Sequence, residues 1–104
     1  MREDPGEWRD GVHWHDHALA KLPGLTIDDL VDVLNDPNQL VIDPDPNSES
    51  GLNHRVVGFS IGRRKVMTLV LLRNDDGTLC CLTTFPANSR DRKLYQQVED
   101  GNQQ

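Results

Sequence analysis

The sequence contains few aromatic residues, only two cysteines and no long apolar run. Aromatic residues make up 5% of its 104 residues and hydrophobic residues 36%. No stretch of about 18 apolar residues could form a transmembrane helix, and no apolar segment of the signal-peptide type begins the chain. Cys80 and Cys81 are adjacent, and neighbours on a strand point to opposite faces, so they are poor disulfide partners. A reducing, cytoplasmic location is expected.

Basic residues are scarce in the first half of the chain. Residues 1–50 carry 3 basic and 12 acidic side chains, whereas residues 51–104 carry 8 basic and 5 acidic ones. The acidic half argues against a uniformly nucleic-acid-binding surface. The second half can still present a local basic face, or simply a mixed solvated surface. The basic residues concerned are Arg55, Arg63, Arg64, Lys65, Arg73, Arg90, Arg92 and Lys93.

The length predicts one domain. We expect a flexible arm over residues 1–11, a single domain over residues 12–98 and a frayed tail over residues 99–104.

Two helices are predicted before the strands. The first covers residues 14–22 and ends at Pro23-Gly24. Thr26 is the predicted N-cap of the second helix, and acids follow in its first turn, where the helix dipole favours them. Apolar residues then recur at helical spacing, at Ile27, Leu30, Val31 and Leu34.

Four strands and a closing helix follow. The strands are predicted at residues 39–43, 55–61, 65–73 and 78–85. Their links are short, and Asp76-Gly77 is a hairpin signal, so the strands should form an antiparallel meander. The closing helix is predicted over residues 88–98, with Asn88 or Ser89 as its cap. The expected fold is α+β: two N-terminal helices, a four-stranded antiparallel sheet with helices on one face, and a C-terminal helix.

A cluster of histidines, V-H-W-H-D-H, precedes the first predicted helix. On a strand, His13, His15 and His17 would share a face and could bind one metal ion. On a helix only His13 and His17 would be neighbours. The sequence has no H-E-x-x-H or C-x-x-C motif, so no metal or cofactor is expected, and His13 and His15 are interpreted as exposed residues at the helix entry.

Four side chains are candidates for acid–base and phosphate chemistry. His17 can act as a general base or acid, and Lys21 shares its helical face. The guanidinium of Arg55 suits a phosphate, although a salt bridge to an acid of the first half would occupy it equally well. Thr83 and Thr84 face opposite ways, and one of the two hydroxyls could enter a cleft. Near the C-terminus, Arg92 and Tyr95 share a helical face, where Tyr95 is interpreted as a packing residue.

Several segments together resemble the BrnT toxins of bacterial type II toxin–antitoxin systems. They are H-A-L-A-K-L, T-I-D-D-L-V-D-V-L-N-D-P, R-V-V-G-F-S and S-R-D-R-K-L-Y, and the resemblance covers roughly residues 12–97. D-R-K-L-Y is similar to the E-R-x-x-Y motif of those toxins. The chain departs at residues 83–86, T-T-F-P, where Phe85 stands in place of an arginine. The resemblance implies a RelE-like fold.

His17-Ala18 with Lys21, and Thr84-Phe85-Pro86, also resemble segments of small domains in the wider barnase, colicin and RelE-like ribonuclease group. This resemblance implies a metal-independent endoribonuclease toxin with His17, Lys21, Arg55 and Thr84 around one cleft. The nucleophile would be the 2′-OH of the RNA, and the cations would stabilise the developing charge. The substrate-binding residues would be Arg63, Arg64, Arg92 and Tyr95.

The implied partners are RNA, in the free state or on the ribosome, and a cognate antitoxin, which an acidic surface around residues 28–50 could dock. An open sheet edge would permit a homodimer. One alternative is a non-catalytic binding module, such as an antitoxin, immunity or phage regulatory protein. The acidic half and Phe85 favour that alternative. A metal-dependent hydrolase built on the histidines is the least favoured hypothesis.

Overall fold

The computed structural model describes the backbone of residues 7–9, 11–20, 22–46 and 51–102, and the side chains of residues 11–15, 18–20, 22–46 and 51–98. In chain order the elements are β1 (Glu7–Arg9), β2 (Val12–Trp14), α1 (Asp16–Leu19), α2 (Ile27–Leu34), β3 (Leu40–Ile42), β4 (Asn53–Ser60), β5 (Lys65–Arg73), β6 (Leu79–Pro86) and α3 (Ser89–Asn102). Within this described part of the chain, no helix is both long and apolar enough to cross a membrane.

The strands form one six-stranded mixed sheet in the order β1-β2-β6-β5-β4-β3. Strands β3 to β6 form the predicted antiparallel meander. In the β5–β6 turn the Asn74 amide donates to the Thr78 carbonyl over 2.8 Å, and Gly77 adopts a φ of 87°, which favours glycine. Strand β2 pairs with β6 in parallel, and β1 pairs with β2 antiparallel.

The expected RelE-like architecture, with two N-terminal helices before a four-stranded antiparallel sheet, is therefore wrong. The sheet has six strands, and one of its pairs is parallel. The helix expected over residues 14–22 is reduced to α1, four residues long. The reason is that Val12–Trp14 pairs with a strand more than sixty residues further along the chain. A three-residue strand is too short to show the alternation by which strands are recognised in a sequence.

The expectation that all helices pack on one face of the sheet is also wrong. In a paired ladder, residues directly opposite one another point to the same side. The side that carries Val56, Leu69, Leu71 and Cys81 packs against α1 and α2, and we call it the α2 face. The opposite side carries Val57, Thr68 and Val70 and packs against α3. We call it the α3 face.

The α2 face carries the larger core. Its fully buried residues include Trp14, Leu30 and Leu69. Thr26 is the N-cap of α2, as predicted: its hydroxyl accepts from the Asp29 amide over 3.3 Å, and the Asp29 carboxylate accepts from the Thr26 amide over 3.1 Å. This capping box supplies side-chain acceptors for two amides at the N-terminus of α2.

The α3 face has a smaller core of Val57, Ala87 and Tyr95. Asn88 caps α3, because its side-chain oxygen accepts from the Asp91 amide over 2.8 Å. The helix continues to Asn102, beyond the predicted end at residue 98. At the other end of the chain, residues 1–6 and 10 of the expected arm lie outside the described residues, and Glu7–Arg9 forms β1.

Candidate functional site

The residues expected to form one ribonuclease cleft lie on both sides of the sheet. Arg55 is paired with Val70, and Val70 with Thr83, so all three belong to the α3 face. Thr84 is paired with Leu69 and belongs to the α2 face. The side chain of His17 and the whole of Lys21 lie outside the described residues. The structure therefore does not bring Arg55 and Thr84 together.

Arg55 lies in a buried network of charges. Its side chain donates to Asp45 Oδ1 over 3.0 Å and to Asp91 Oδ2 over 2.9 Å. The Thr68 hydroxyl donates to the same Asp91 oxygen over 3.0 Å. Only 6% of Arg55 is exposed, and its guanidinium carbon lies 5.7 Å from the centre of the Phe85 ring. Two carboxylates and a ring thus surround the guanidinium that was expected to bind phosphate.

Thr84 has a structural contact on the other side of the sheet. It is fully buried, and its hydroxyl donates to the carbonyl of Ala18 in α1 over 2.9 Å. This bond ties the short α1 helix to β6. The neighbouring Thr83 faces the α3 side, and its buried hydroxyl oxygen has no hydrogen-bond partner among the residues described.

The four predicted substrate-binding residues are dispersed. Arg63 donates to the Pro23 carbonyl over 3.1 Å, while Arg64 and Arg92 are exposed. Tyr95 is buried, as the packing interpretation predicted, and its hydroxyl donates to Asp36 Oδ2 over 2.6 Å. A basic hollow of about 310 Å³ does lie along α3, lined by Ser89, Arg90, Lys93, Leu94 and Gln97.

Two of the clustered histidines lie beside a cysteine. His13 in β2 is directly opposite Cys80 in β6, and His13 Nδ1 lies 3.8 Å from Cys80 Sγ. The rings of His13 and His15 have their centres 5.0 Å apart. One nitrogen of each ring and the Cys80 sulfur all lie within 4.8 Å of one another. No local pattern in the sequence indicates Cys80, because its position beside the histidines depends on the parallel pairing of β2 with β6.

The thiol of the neighbouring Cys81 lies on the other side of the sheet from this group. Cys81 points to the α2 face, inside the larger core. Burial, with a smaller contribution from Cys80, raises the pKa of the Cys81 thiol to about 12. Cys81 is therefore a neutral core residue. Both cysteines are free thiols.

A groove with acidic and apolar walls lies at the C-terminal end of α2. It has a volume of about 190 Å³ and is lined by Asp32, Asn35, Asp36, Pro37, Phe59 and Ile61. Phe59 is 39% exposed and Ile61 72% exposed, and both line the same groove. The Asp36 carboxylate accepts from the Phe59 amide over 2.8 Å, and that of Asp32 from the Gly62 amide over 3.0 Å. The two carboxylates are thus held in place beside the apolar side chains.

Scans against models of known protein families, curated proteins and solved structures find nothing that matches this chain.

Proposed function

We propose that the chain is a non-catalytic binding module of a toxin–antitoxin system, which docks a basic amphipathic segment of a partner protein. The observation that carries the proposal is the groove of Asp32, Asn35, Asp36, Pro37, Phe59 and Ile61. Four of its six lining residues belong to the acidic region, residues 28–50, where an antitoxin-docking surface was expected. Both cysteines are free thiols, as is typical of proteins in the reducing cytoplasm. We therefore expect the chain to meet its partner in that compartment.

The negative charge of the groove favours a partner with a basic surface. Asp28 and Asp29 lie in the first turn of α2, and the last turn contains no basic residue. Asp32 and Asp36 follow along the helix and its end. The carbonyl groups at the C-terminus of a helix add a partial negative charge of about half a unit. A lysine or arginine of the partner would therefore be attracted to this end of α2.

The apolar side chains of the groove supply the contact area. Ile61 and Phe59 would lose exposed hydrocarbon surface on binding, and burying one such side chain contributes roughly 1.5–3 kcal/mol. A helix with leucines on one face and lysines beside them fits this combination of surfaces. The hydrogen bonds from the Phe59 and Gly62 amides orient the carboxylates before binding, so little ordering is required when the partner arrives.

The ribonuclease function is less well supported by the positions of its residues. A phosphate at Arg55 would compete with Asp45 and Asp91, which already accept its hydrogen bonds. Thr84 is on the opposite face and donates to Ala18. A growth experiment separates the two functions. Induced expression of the wild type should leave bacterial growth and total RNA unchanged; arrest with RNA degradation, relieved by His17→Ala, would instead establish the ribonuclease.

Binding itself is tested with a labelled Leu/Lys peptide of about 15 residues, long enough to form an amphipathic helix. Fluorescence anisotropy should show binding that weakens with salt, and a Leu/Glu peptide of the same pattern should not bind. Ile61→Ser should weaken the Leu/Lys complex about tenfold, since about 1.4 kcal/mol corresponds to that factor. Asp32→Asn, which keeps an acceptor for the Gly62 amide, should weaken it less.

Leu52→Ser is the matched control, because Leu52 is 62% exposed but does not line the groove. Its affinity for the Leu/Lys peptide should equal that of the wild type. Equal losses in Ile61→Ser and Leu52→Ser, or equal binding of the Leu/Glu peptide, would contradict the proposal.

A further inference from the structure

We propose that His13, His15 and Cys80 form a binding site for a divalent transition-metal ion, with Zn²⁺ as the ion that the ligands suit best. This inference does not depend on the proposed protein-binding function, since the two sites share no residue. The observation behind it is the convergence of one nitrogen from each histidine and the Cys80 sulfur within 4.8 Å of one another.

The separations are close to those that zinc requires. Zinc lies about 2.0–2.1 Å from a histidine nitrogen and about 2.3 Å from a cysteine sulfur. Around a tetrahedral ion, these bond lengths place ligand atoms roughly 3.3–3.6 Å apart. His13 Nδ1 and Cys80 Sγ are already 3.8 Å apart. Small rotations of the half-buried His13 and His15 side chains would close the remaining distances.

The fold positions these three residues through the backbone. His13 and Cys80 face each other in the parallel β2–β6 ladder. His15 is two residues beyond His13, so it lies on the same side of an extended chain. Its amide donates to the Cys81 carbonyl over 3.4 Å, which holds this segment against β6 just past the last strand residue. Two adjacent strands thus hold His13 and Cys80, and His15 follows directly after β2, so the site does not depend on a long loop.

The types of ligand define the class of ion. Imidazole nitrogens and a thiolate suit zinc, whereas Ca²⁺ and Mg²⁺ prefer oxygen ligands. On binding, the Cys80 thiol releases its proton to solvent and the resulting thiolate donates an electron pair to the ion, with no change of oxidation state. Cys80 is 7% exposed and both histidines are half-buried. An ion can therefore reach the nitrogens from solvent while the sulfur lies deeper.

Co²⁺ is the probe, because it binds at zinc sites and its absorption spectrum identifies the types of ligand. The full chain, reduced with a phosphine and freed of metal by chelation, is titrated with Co²⁺ near neutral pH. One equivalent should produce a sulfur-to-cobalt charge-transfer band in the near ultraviolet, with visible bands of tetrahedral intensity. Zn²⁺ should then displace the cobalt and abolish both features. Zn²⁺ should also raise the melting temperature, because it binds the folded state.

The adjacent cysteines supply a matched pair of variants. Cys80→Ser should abolish the charge-transfer band and lower the affinity for Co²⁺ at least about 100-fold, since loss of an outer partner alone costs 10–100-fold. Cys81→Ala should keep the band, because Cys81 faces the opposite core. His13→Gln and His15→Gln should each weaken Co²⁺ binding while retaining some sulfur band.

Circular dichroism of each variant without metal verifies that the fold is kept. A wild type without a charge-transfer band would overturn the proposal. A band that persists in Cys80→Ser but disappears in Cys81→Ala would overturn it equally. Visible bands without a thiolate band, unchanged by either histidine variant, would place the cobalt elsewhere and also refute the site.

Discussion

The α2 face and the α3 face of the sheet are stabilised by different interactions. On the α2 face, apolar side chains from α1, α2 and four strands form one continuous buried cluster. On the α3 face the apolar cluster has three buried members among the residues described, and charged groups occupy the space beside it. Arg55, Asp45 and Asp91 are each no more than 6% exposed there.

Because of this difference, the α2 face contributes mainly to the free energy of folding, whereas the α3 face contributes mainly to the specificity of the arrangement. Apolar burial is proportional to area and has little directionality. A guanidinium between two carboxylates requires particular distances, and each charge becomes costly if its partner is removed. Because Asp45 precedes β4 and Asp91 belongs to α3, the Arg55 network determines where a loop and a helix lie relative to the sheet. The three metal-ligand candidates lie on this same face.

Arg55→Ala should produce the largest loss of stability. It would leave Asp45 and Asp91 buried without their counter-charge, and breaking a buried pair in this way costs about 3–5 kcal/mol. Chemical denaturation measures the free energy of unfolding. Arg92→Ala is the control, since Arg92 is exposed on α3 next to Asp91, and its change should stay within about 0.5 kcal/mol. Similar values for the two variants would show that the network contributes little.

Leu30→Ala tests the α2 face in the same assay. Leu30 is fully buried between α2 and the sheet, and truncating a buried leucine costs about 2–5 kcal/mol through lost burial and a cavity. Val41→Ala is the comparison, because Val41 is 52% exposed on β3. It should change the free energy of unfolding by less than about 0.5 kcal/mol. A small effect of Leu30→Ala would mean that this core rearranges to fill the space.

The local elements of both faces could be predicted from the sequence. Strand β5 covers the run K-V-M-T-L-V-L-L-R, as predicted, and Thr26 caps α2 as expected. Each of these features depends on residues close together in the chain. The hairpin at Asp76-Gly77 and the cap at Asn88 are local in the same sense.

The long-range arrangements could not be predicted in this way. Val12–Trp14 becomes a strand through its pairing with β6 and β1, while the helical propensity of A-L-A-K-L indicated a helix for part of it. Because the pairing of β2 with β6 was not predicted, Cys80 was not expected to lie beside the histidines. Similarly, the sequence alone did not decide whether Arg55 would bind a phosphate or form a salt bridge. In the structure its guanidinium is bound by Asp45, an acid of the first half, and by Asp91, which α3 brings to the same side of the sheet.

The smallest expected effect is the pH-dependent contribution of His54 to the stability of the α2 face. His54 belongs to the α2 face, opposite Leu71, and is 7% exposed. Burial lowers the pKa of its imidazole below 6.5; Asp43 opposes this shift and Arg73 adds to it. The unfolded chain therefore binds this proton more readily than the folded chain. The contribution of this imidazole to stability should be fully present above about pH 6.5, and it should fall as the pH drops towards the lower pKa of the folded state.

Denaturation midpoints of the wild type and of His54→Gln, compared between pH 7.5 and pH 5.5, measure this contribution. Glutamine does not titrate, so the variant should lose less stability over this interval than the wild type. Most carboxylates titrate near pH 4 and contribute little to the difference. Identical pH dependence in the two proteins would mean that the imidazole of His54 is protonated equally well in the folded and unfolded chains.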